Sequence, residues 1–222
     1  MGCELASVGE LGSLISPNYS MERLKHLPPL KLGVMASGSG SNFEAIAQAI
    51  ANGQLNAQVQ VVVYNNPDAG VVSRAERWGV PSILLNHREF VGREALDQAI
   101  VQVMNQYGVE WVIMAGWMRI VTPVLINAFP NQILNIHPSL LPSFKGLHAV
   151  EQALAAGVKI TGCTVHLVIP EMDSGPILIQ AAVPVLPDDT PQSLLDRIQV
   201  QEHRIYPIAI GLAALQRQAS VE

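Results

Sequence analysis

Cysteine is scarce: Cys3 and Cys163 are the two in 222 residues, and no C-x-x-C occurs. That excludes a disulfide framework, leaves redox and structural-zinc readings little support, and points to a reducing compartment. Positive charge is not in excess. With 13 Lys+Arg against 18 Asp+Glu the formal charge is -5, which gives no broad basic field for a nucleic-acid backbone, although a local basic pocket for a small anion fits. No uninterrupted apolar run approaches the roughly 18 residues that span a bilayer. The expectation is a soluble, cytoplasmic protein with a small partner, no nucleic acid and no membrane. Internal repeats, low-complexity tracts and linkers are missing from residue 31 onward. What is abundant is apolar side chain: 49% of residues are hydrophobic, with mean hydropathy +0.28, enough for a sizeable core.

The first thirty residues read as an appendage. They lack a basic region ahead of a short apolar part, and Glu4, Glu10 and Glu22 argue against an acid-poor transit peptide. The expectation is a poorly ordered extension over residues 1–30, with Met21 as an alternative start. From Leu32, strand-like and helix-like segments alternate. LGVMAS, AQVQVVVYNN, PSILLN, VEWVIMAG and NQILNIH read as strands, with NFEAIAQAIANG and REALDQAIVQVMNQYG as helices. Such alternation predicts βαβ units and an α/β fold, a mostly parallel, Rossmann-like twisted sheet flanked by helices. Beyond it AVEQALAAG is helical, ITGCTVHLVI and PILIQAAVPV are strand-like, and Pro191 to Gln216 is helical with a break expected at Pro207. A single domain over 31–217 with a tail at 218–222 is the simplest organisation.

ASGSGSNFEAI follows the first of these strands directly. Gly38 and Gly40 permit a tight turn, and the next helix would aim the N–H groups of Ser41 and Asn42 at an anion such as phosphate. A dinucleotide fingerprint fails, since Phe43 stands in the third glycine's place and the second strand ends in Asn65 and Asn66 without an acid. A Walker loop fails for want of Gly-Lys-Ser/Thr. A plain turn with Ser41 as helix cap explains the loop equally well.

ILNIHPSLLPSF sets Asn135 and His137 two apart at a strand end. Side chains alternate along a strand, so both project to one face and Ile136 to the other. Ligands of open α/β sheets sit beyond the carboxyl ends of strands, where the glycine loop also lies. An amide donor beside an imidazole suits acyl or formyl transfer. On spacing alone, however, Asn135 terminates the strand and His137 is a satisfied, partly buried histidine. Asp173 in PEMDSGP lies in a loop between the late strands; it either favours a protonated imidazole and orders a water, or bonds its own turn. His166 reads as a sheet histidine, Glu171 as a solvated loop acid, His203 as a helix-surface residue and Cys163 as a small buried hydrophobe.

Together, SGSGSN, AGWMRIVTP, LNIHPSLLPSFKGLHA and MDSGPILIQ, in this order and spacing, closely resemble the folate-dependent glycinamide ribonucleotide transformylases of purine synthesis, also called phosphoribosylglycinamide formyltransferases. The resemblance covers about residues 31 to 217. It implies formyl transfer from 10-formyltetrahydrofolate, as co-substrate, to the amine of glycinamide ribonucleotide, with no metal, in a monomer or homodimer. By resemblance Asn135, His137 and Asp173 take the catalytic positions. Gly40, Ser41 and Asn42 take the phosphate loop, and Gln199 and Glu202 the ribonucleotide contact. Arg93, Met118, Arg119, Ile120 and Val121, with Asn135, fall where the family binds folate. The family's Gly-x-His is present as Gly146, Leu147 and His148.

Two departures stand out: the thirty leading residues lie outside the usual domain, and Ser174 replaces a second glycine found in many relatives. Three rival activities remain at this level. A 10-formyltetrahydrofolate hydrolase usually carries an added N-terminal regulatory domain, for which thirty residues are few. Methionyl-tRNA formyltransferase shares the Asn-x-His pattern but needs a further C-terminal domain. A non-catalytic folate or nucleotide binder would have no use for Asn135, His137 and Asp173 together.

Overall fold

The computed structural model describes residues 14–17, 24 and 27–219. Among these, eight strands form one sheet: β1 (Ile15–Ser16), β2 (Leu30–Ala36), β3 (Ala57–Tyr64), β4 (Ser82–Leu84), β5 (Trp111–Met114), β6 (Ile133–His137), β7 (Ile160–Leu167) and β8 (Ile177–Pro184). Their order across the sheet is β1-β8-β7-β6-β5-β2-β3-β4. The run from β6 to β4 is parallel, and β7, β8 and β1 add antiparallel pairs at the other side. The helices are α1 (Ser41–Ala51), α2 (Val71–Arg77), α3 (Gly92–Gln106), α4 (Pro123–Ala128), α5 (Ala149–Ala155) and α6 (Pro191–Ala219).

Helices cover both faces of the sheet, which is why the central strands read as near-continuous apolar runs. Alternation still decides which layer each residue enters. Leu32, Val34, Ile113, Leu134 and Ile136 pack with Phe43 and Ile46 of α1 and with Tyr206 and Ile210 of α6. Met35, Val112, Met114 and Ile133 pack instead with Leu96, Ile100 and Met104 of α3 and Leu125 of α4. By the two-residue period Asn135 and His137 share the α3/α4 face with Ile133.

Three expectations need correction. The leading segment is not simply an appendage: Ile15 and Ser16 pair antiparallel with Ala181 and Gln180 of β8, covering that sheet edge, and Leu24 and Leu27 are buried. Met21 and residues 1–13 lie outside the described residues. The helix at the C-terminal side does not break at Pro207 but runs unbroken from Pro191 to Ala219, the last three residues of the tail lying outside the described residues. Pro207 deprives the carbonyl of His203 of its helical N–H, yet Tyr206, Ile208, Ala209, Ile210, Ala213 and Ala214 around it are all buried, and this packing keeps the axis in place. Two short helices, α2 and α4, were absent from the periodicity reading. Gly40, not Ser41, is the N-cap of α1, and no side chain caps it.

Candidate active site

Chain order reverses between β2 and β5: from β2 the chain proceeds through β3 to β4, then returns to β5 and continues through β6. Loops leaving adjacent strands at such a switch point diverge and open a crevice. Here the two loops are tied at its floor, with the Ser37 N–H donating to the Gly116 carbonyl (3.0 Å) and the Met118 N–H to Ser37 Oγ (2.9 Å). The crevice is a cavity of about 580 Å³. Its wall includes the 116–121 loop, Asn135 to Pro138 at the end of β6, Gly146 to Ala149, and the segment from Val168 to Asp173.

The three expected catalytic side chains meet in this cavity. His137, 6% exposed, has its Nε2 2.8 Å from the Phe144 carbonyl and its Nδ1 3.5 Å from Asp173 Oδ2. A carbonyl and a carboxylate only accept, so a ring protonated on both nitrogens suits both neighbours. The Asp173 contact is an ion-pair distance, longer than a good hydrogen bond. Asp173 is itself held, its Oδ2 accepting the Gly146 N–H at 2.8 Å. Left-handed backbone at three non-glycine residues, Phe144 (φ 56°), His148 (φ 60°) and Asp173 (φ 49°), concentrates strain around the cavity. Ser174, the departure from the family pattern, accepts from Lys145 Nζ (2.6 Å) and donates to the Met172 carbonyl (2.9 Å), joining the two loops.

His166 is the residue that sequence reasoning placed in the sheet and left out of the site. It does lie on β7, but register sets it directly opposite Asn135 of β6. Its Nδ1 is 2.9 Å from the Leu167 carbonyl. Only a donor fits there, so Nδ1 carries the proton and Nε2 is a lone pair. That lone pair accepts from Asn135 Nδ2 at 3.2 Å. The amide is thereby fixed with nitrogen toward His166, and its second N–H is left for the cavity. Burial lowers the His166 pKa from 6.5, which favours this neutral form. Asp173 Oδ1 is 3.7 Å from the same nitrogen. Beneath the strand, Tyr206 Oη lies 3.1 Å from both the Met114 and Leu134 carbonyls, bracing β5 and β6 from α6.

The glycine loop lies beside the cavity, outside its wall. Gly40 has φ 75°, and a Cβ there would come within 2.8 Å of the Val71 backbone. Arg74 Nε donates to the Ser39 carbonyl (2.8 Å) while its Nη1 binds Glu44 (2.9 Å), so α2 holds the loop from behind. Asn42, on α1, donates from Nδ2 to Glu202 Oε2 of α6 at 2.9 Å, and both are buried. Burial raises the Glu202 pKa from 4.5, and Asn42 Oδ1 has no partner among the described residues. Gln199 stands three residues earlier on the same helix, half-buried. Arg93, Met118, Arg119, Ile120 and Val121 all line the cavity, as does Glu171. Cys163 is fully buried on β7 and burial pushes its thiol well up, consistent with an inert apolar role.

The formyl transferase family profile matches residues 30–210. The chain is similar to the phosphoribosylglycinamide formyltransferase of Bacillus subtilis, 41% identical over 180 residues that cover 81% of this chain and 92% of that protein. It is 40% identical over 208 residues to the human trifunctional purine biosynthetic protein adenosine-3, of which it spans 20%. Among solved structures, glycinamide ribonucleotide transformylase 1 from Symbiobacterium toebii superposes with TM-score 0.83 at 48% identity, covering 85% of this chain and 89% of that one. By the extent of these matches, the chain belongs to the formyl transferase family.

Proposed function

We propose that this protein transfers the formyl group of 10-formyltetrahydrofolate to the amine of glycinamide ribonucleotide, giving formylglycinamide ribonucleotide and tetrahydrofolate. The convergence of Asn135, His137 and Asp173 in one cavity, next to a helix N-terminus suited to phosphate, is the observation that carries the reading. The names of similar proteins give the same acceptor and the same transferred group.

The chemistry follows from the groups present. The substrate amine attacks the formyl carbon, and the carbonyl π electrons move to oxygen. The free N–H of Asn135 and a proton on His137 oppose the charge that develops there. His137 Nε2 donates to the Phe144 carbonyl, so the formyl oxygen competes with that carbonyl for the proton. Asp173 balances the imidazolium and takes part in moving the proton released by the amine. Collapse of the tetrahedral adduct breaks the bond to the folate nitrogen, which leaves with a proton. Arg93, Met118, Arg119, Ile120 and Val121 line the folate side; Gly40, Ser41, Asn42, Gln199 and Glu202 hold the ribonucleotide. No covalent enzyme intermediate and no metal are part of this sequence of events.

The test is product identity. Incubated with both substrates, the purified protein is expected to form formylglycinamide ribonucleotide and tetrahydrofolate in equal amounts. Free formate in place of the formylated ribonucleotide would make it a hydrolase instead.

A further inference from the structure

Asp97 is a charged side chain on the buried stripe of α3, among Leu96, Ile100 and Met104. It is 2% exposed, and the chemistry above makes no use of it. A carboxylate is taken out of water at considerable cost, so its partners identify its purpose. Asp97 Oδ2 accepts the backbone N–H of Thr122 at 2.5 Å. Thr122 is the N-cap of α4, its Oγ1 accepting from the Val124 N–H. The bond therefore ties the start of α4 to α3 at the point where the 116–121 loop ends. That loop supplies Met118, Arg119, Ile120 and Val121 to the cavity. The carboxylate also has the guanidinium groups of Arg93 and Arg119 nearby as countercharge; Arg93 precedes it by four residues on the same helix face. Burial still pushes the Asp97 carboxyl upward against these influences. Arg119 Nε is buried with no partner among the described residues, and the backbone that carries this arginine reaches Thr122 three residues on.

We propose that Asp97 is a positioning residue for the folate side of the cavity: by fixing Thr122 it sets the 118–121 wall and brings Arg93 and Arg119 to bear on one ligand. It touches no substrate itself. The proposal rests on the reading of this cavity as a folate site.

Equilibrium titration with tetrahydrofolate and, separately, with glycinamide ribonucleotide tests it. Asp97→Ala removes the acceptor for the Thr122 N–H, and its Kd for tetrahydrofolate is expected to rise about tenfold or more, as for loss of a buried hydrogen bond to a charged group. Asp97→Asn keeps an acceptor oxygen of the same shape and is expected to recover most of that loss. The Kd for the ribonucleotide should change by less than about twofold in both, because the glycine loop is held by α2 and α6 rather than by α3. General loosening of the fold would weaken both ligands alike, and that result would overturn the proposal, as would tetrahydrofolate binding unchanged in Asp97→Ala. Should Asp97→Ala not fold, Asp97→Asn carries the test: a loss as large for the ribonucleotide as for tetrahydrofolate would again overturn it. Failure of the wild-type protein to bind tetrahydrofolate would instead overturn the reading of the cavity, and this proposal with it.

Discussion

Hydrogen-bond bookkeeping at single residues decides what the site can do. Asn135 presents an N–H to the cavity because His166 Nε2 accepts its other amide proton, and His166 can accept because the Leu167 carbonyl claims the proton on Nδ1. Losing this ordering by His166→Phe is expected to lower kcat by roughly tenfold with both KM values little changed, the pattern for an interaction made in the transition state. The same geometry has a pH signature. Folding holds the His166 pKa below its ordinary 6.5, so between the two values the unfolded chain binds the proton and the folded protein does not. His166 therefore withdraws stability as pH falls through 6.5 toward the lowered folded value, and none above that window. His166→Gln removes this contribution, and denaturant titrations at about pH 7.5 and about pH 5.5 should show a smaller acid loss for the variant than for wild type. Equal losses would contradict a neutral His166.

At the scale of elements, the cross-helix pair Asn42–Glu202 joins α1 to α6 at a cost in stability. The Glu202 pKa is raised above 4.5 by burial, so the folded state keeps its proton to higher pH than the unfolded chain does. The associated stability is present below 4.5 and is lost as pH rises through the raised value. Glu202→Gln keeps an acceptor for Asn42 Nδ2 and adds a donor where Asn42 Oδ1 has no partner among the described residues. It should raise Tm at neutral pH by roughly 2–4 °C, the equivalent of about 1 kcal/mol, with the gain vanishing in acid, while weakening ribonucleotide binding. The two-residue strand β1 carries a further prediction. Since Ile15 and Ser16 cover the β8 edge, deleting residues 1–20 should lower Tm by several degrees, roughly 1 to 2 kcal/mol, and leave kcat near normal at low temperature. An unchanged melting curve would show that this pairing contributes nothing. These elements also mark what the sequence could not convey. The strands and the long helices announced themselves by period, whereas α2 and α4, no longer than α5, lack its strong helix formers: VVSRAER opens on two β-branched residues and PVLINA holds Val, Ile and Asn, against AVEQALA. Pro207 signalled a break because local backbone chemistry favours one, and burial of its neighbours, invisible locally, prevailed.

For the whole molecule, the decisive feature is strand order. The reversal between β2 and β5 brings the glycine loop, the 116–121 wall and the end of β6 to one end of the sheet. That Asn135, His137 and Asp173 share one cavity was legible through the family resemblance, whose ordered motifs contain all three, and the two-residue period put the first two on one face. His166 was not, because its place opposite Asn135 is a matter of antiparallel register between β6 and β7, which no local pattern encodes. Asp97 was hidden for a related reason: a lone acid in a helix reads as solvated until α4 is seen to cover it. In the proposed mechanism His137 supplies a proton to the developing oxyanion, with Asn135 as second donor. Alanine at either position is expected to lower the chemical rate by about 100-fold or more, and the double variant should lose less than the product of the two, since both act on one charge. The most direct measurement is a single-turnover assay of His137→Ala with both substrates bound at saturation. Formyl transfer is expected to slow by about 100-fold or more with ligand occupancy intact; a rate close to wild type would remove His137 from the mechanism.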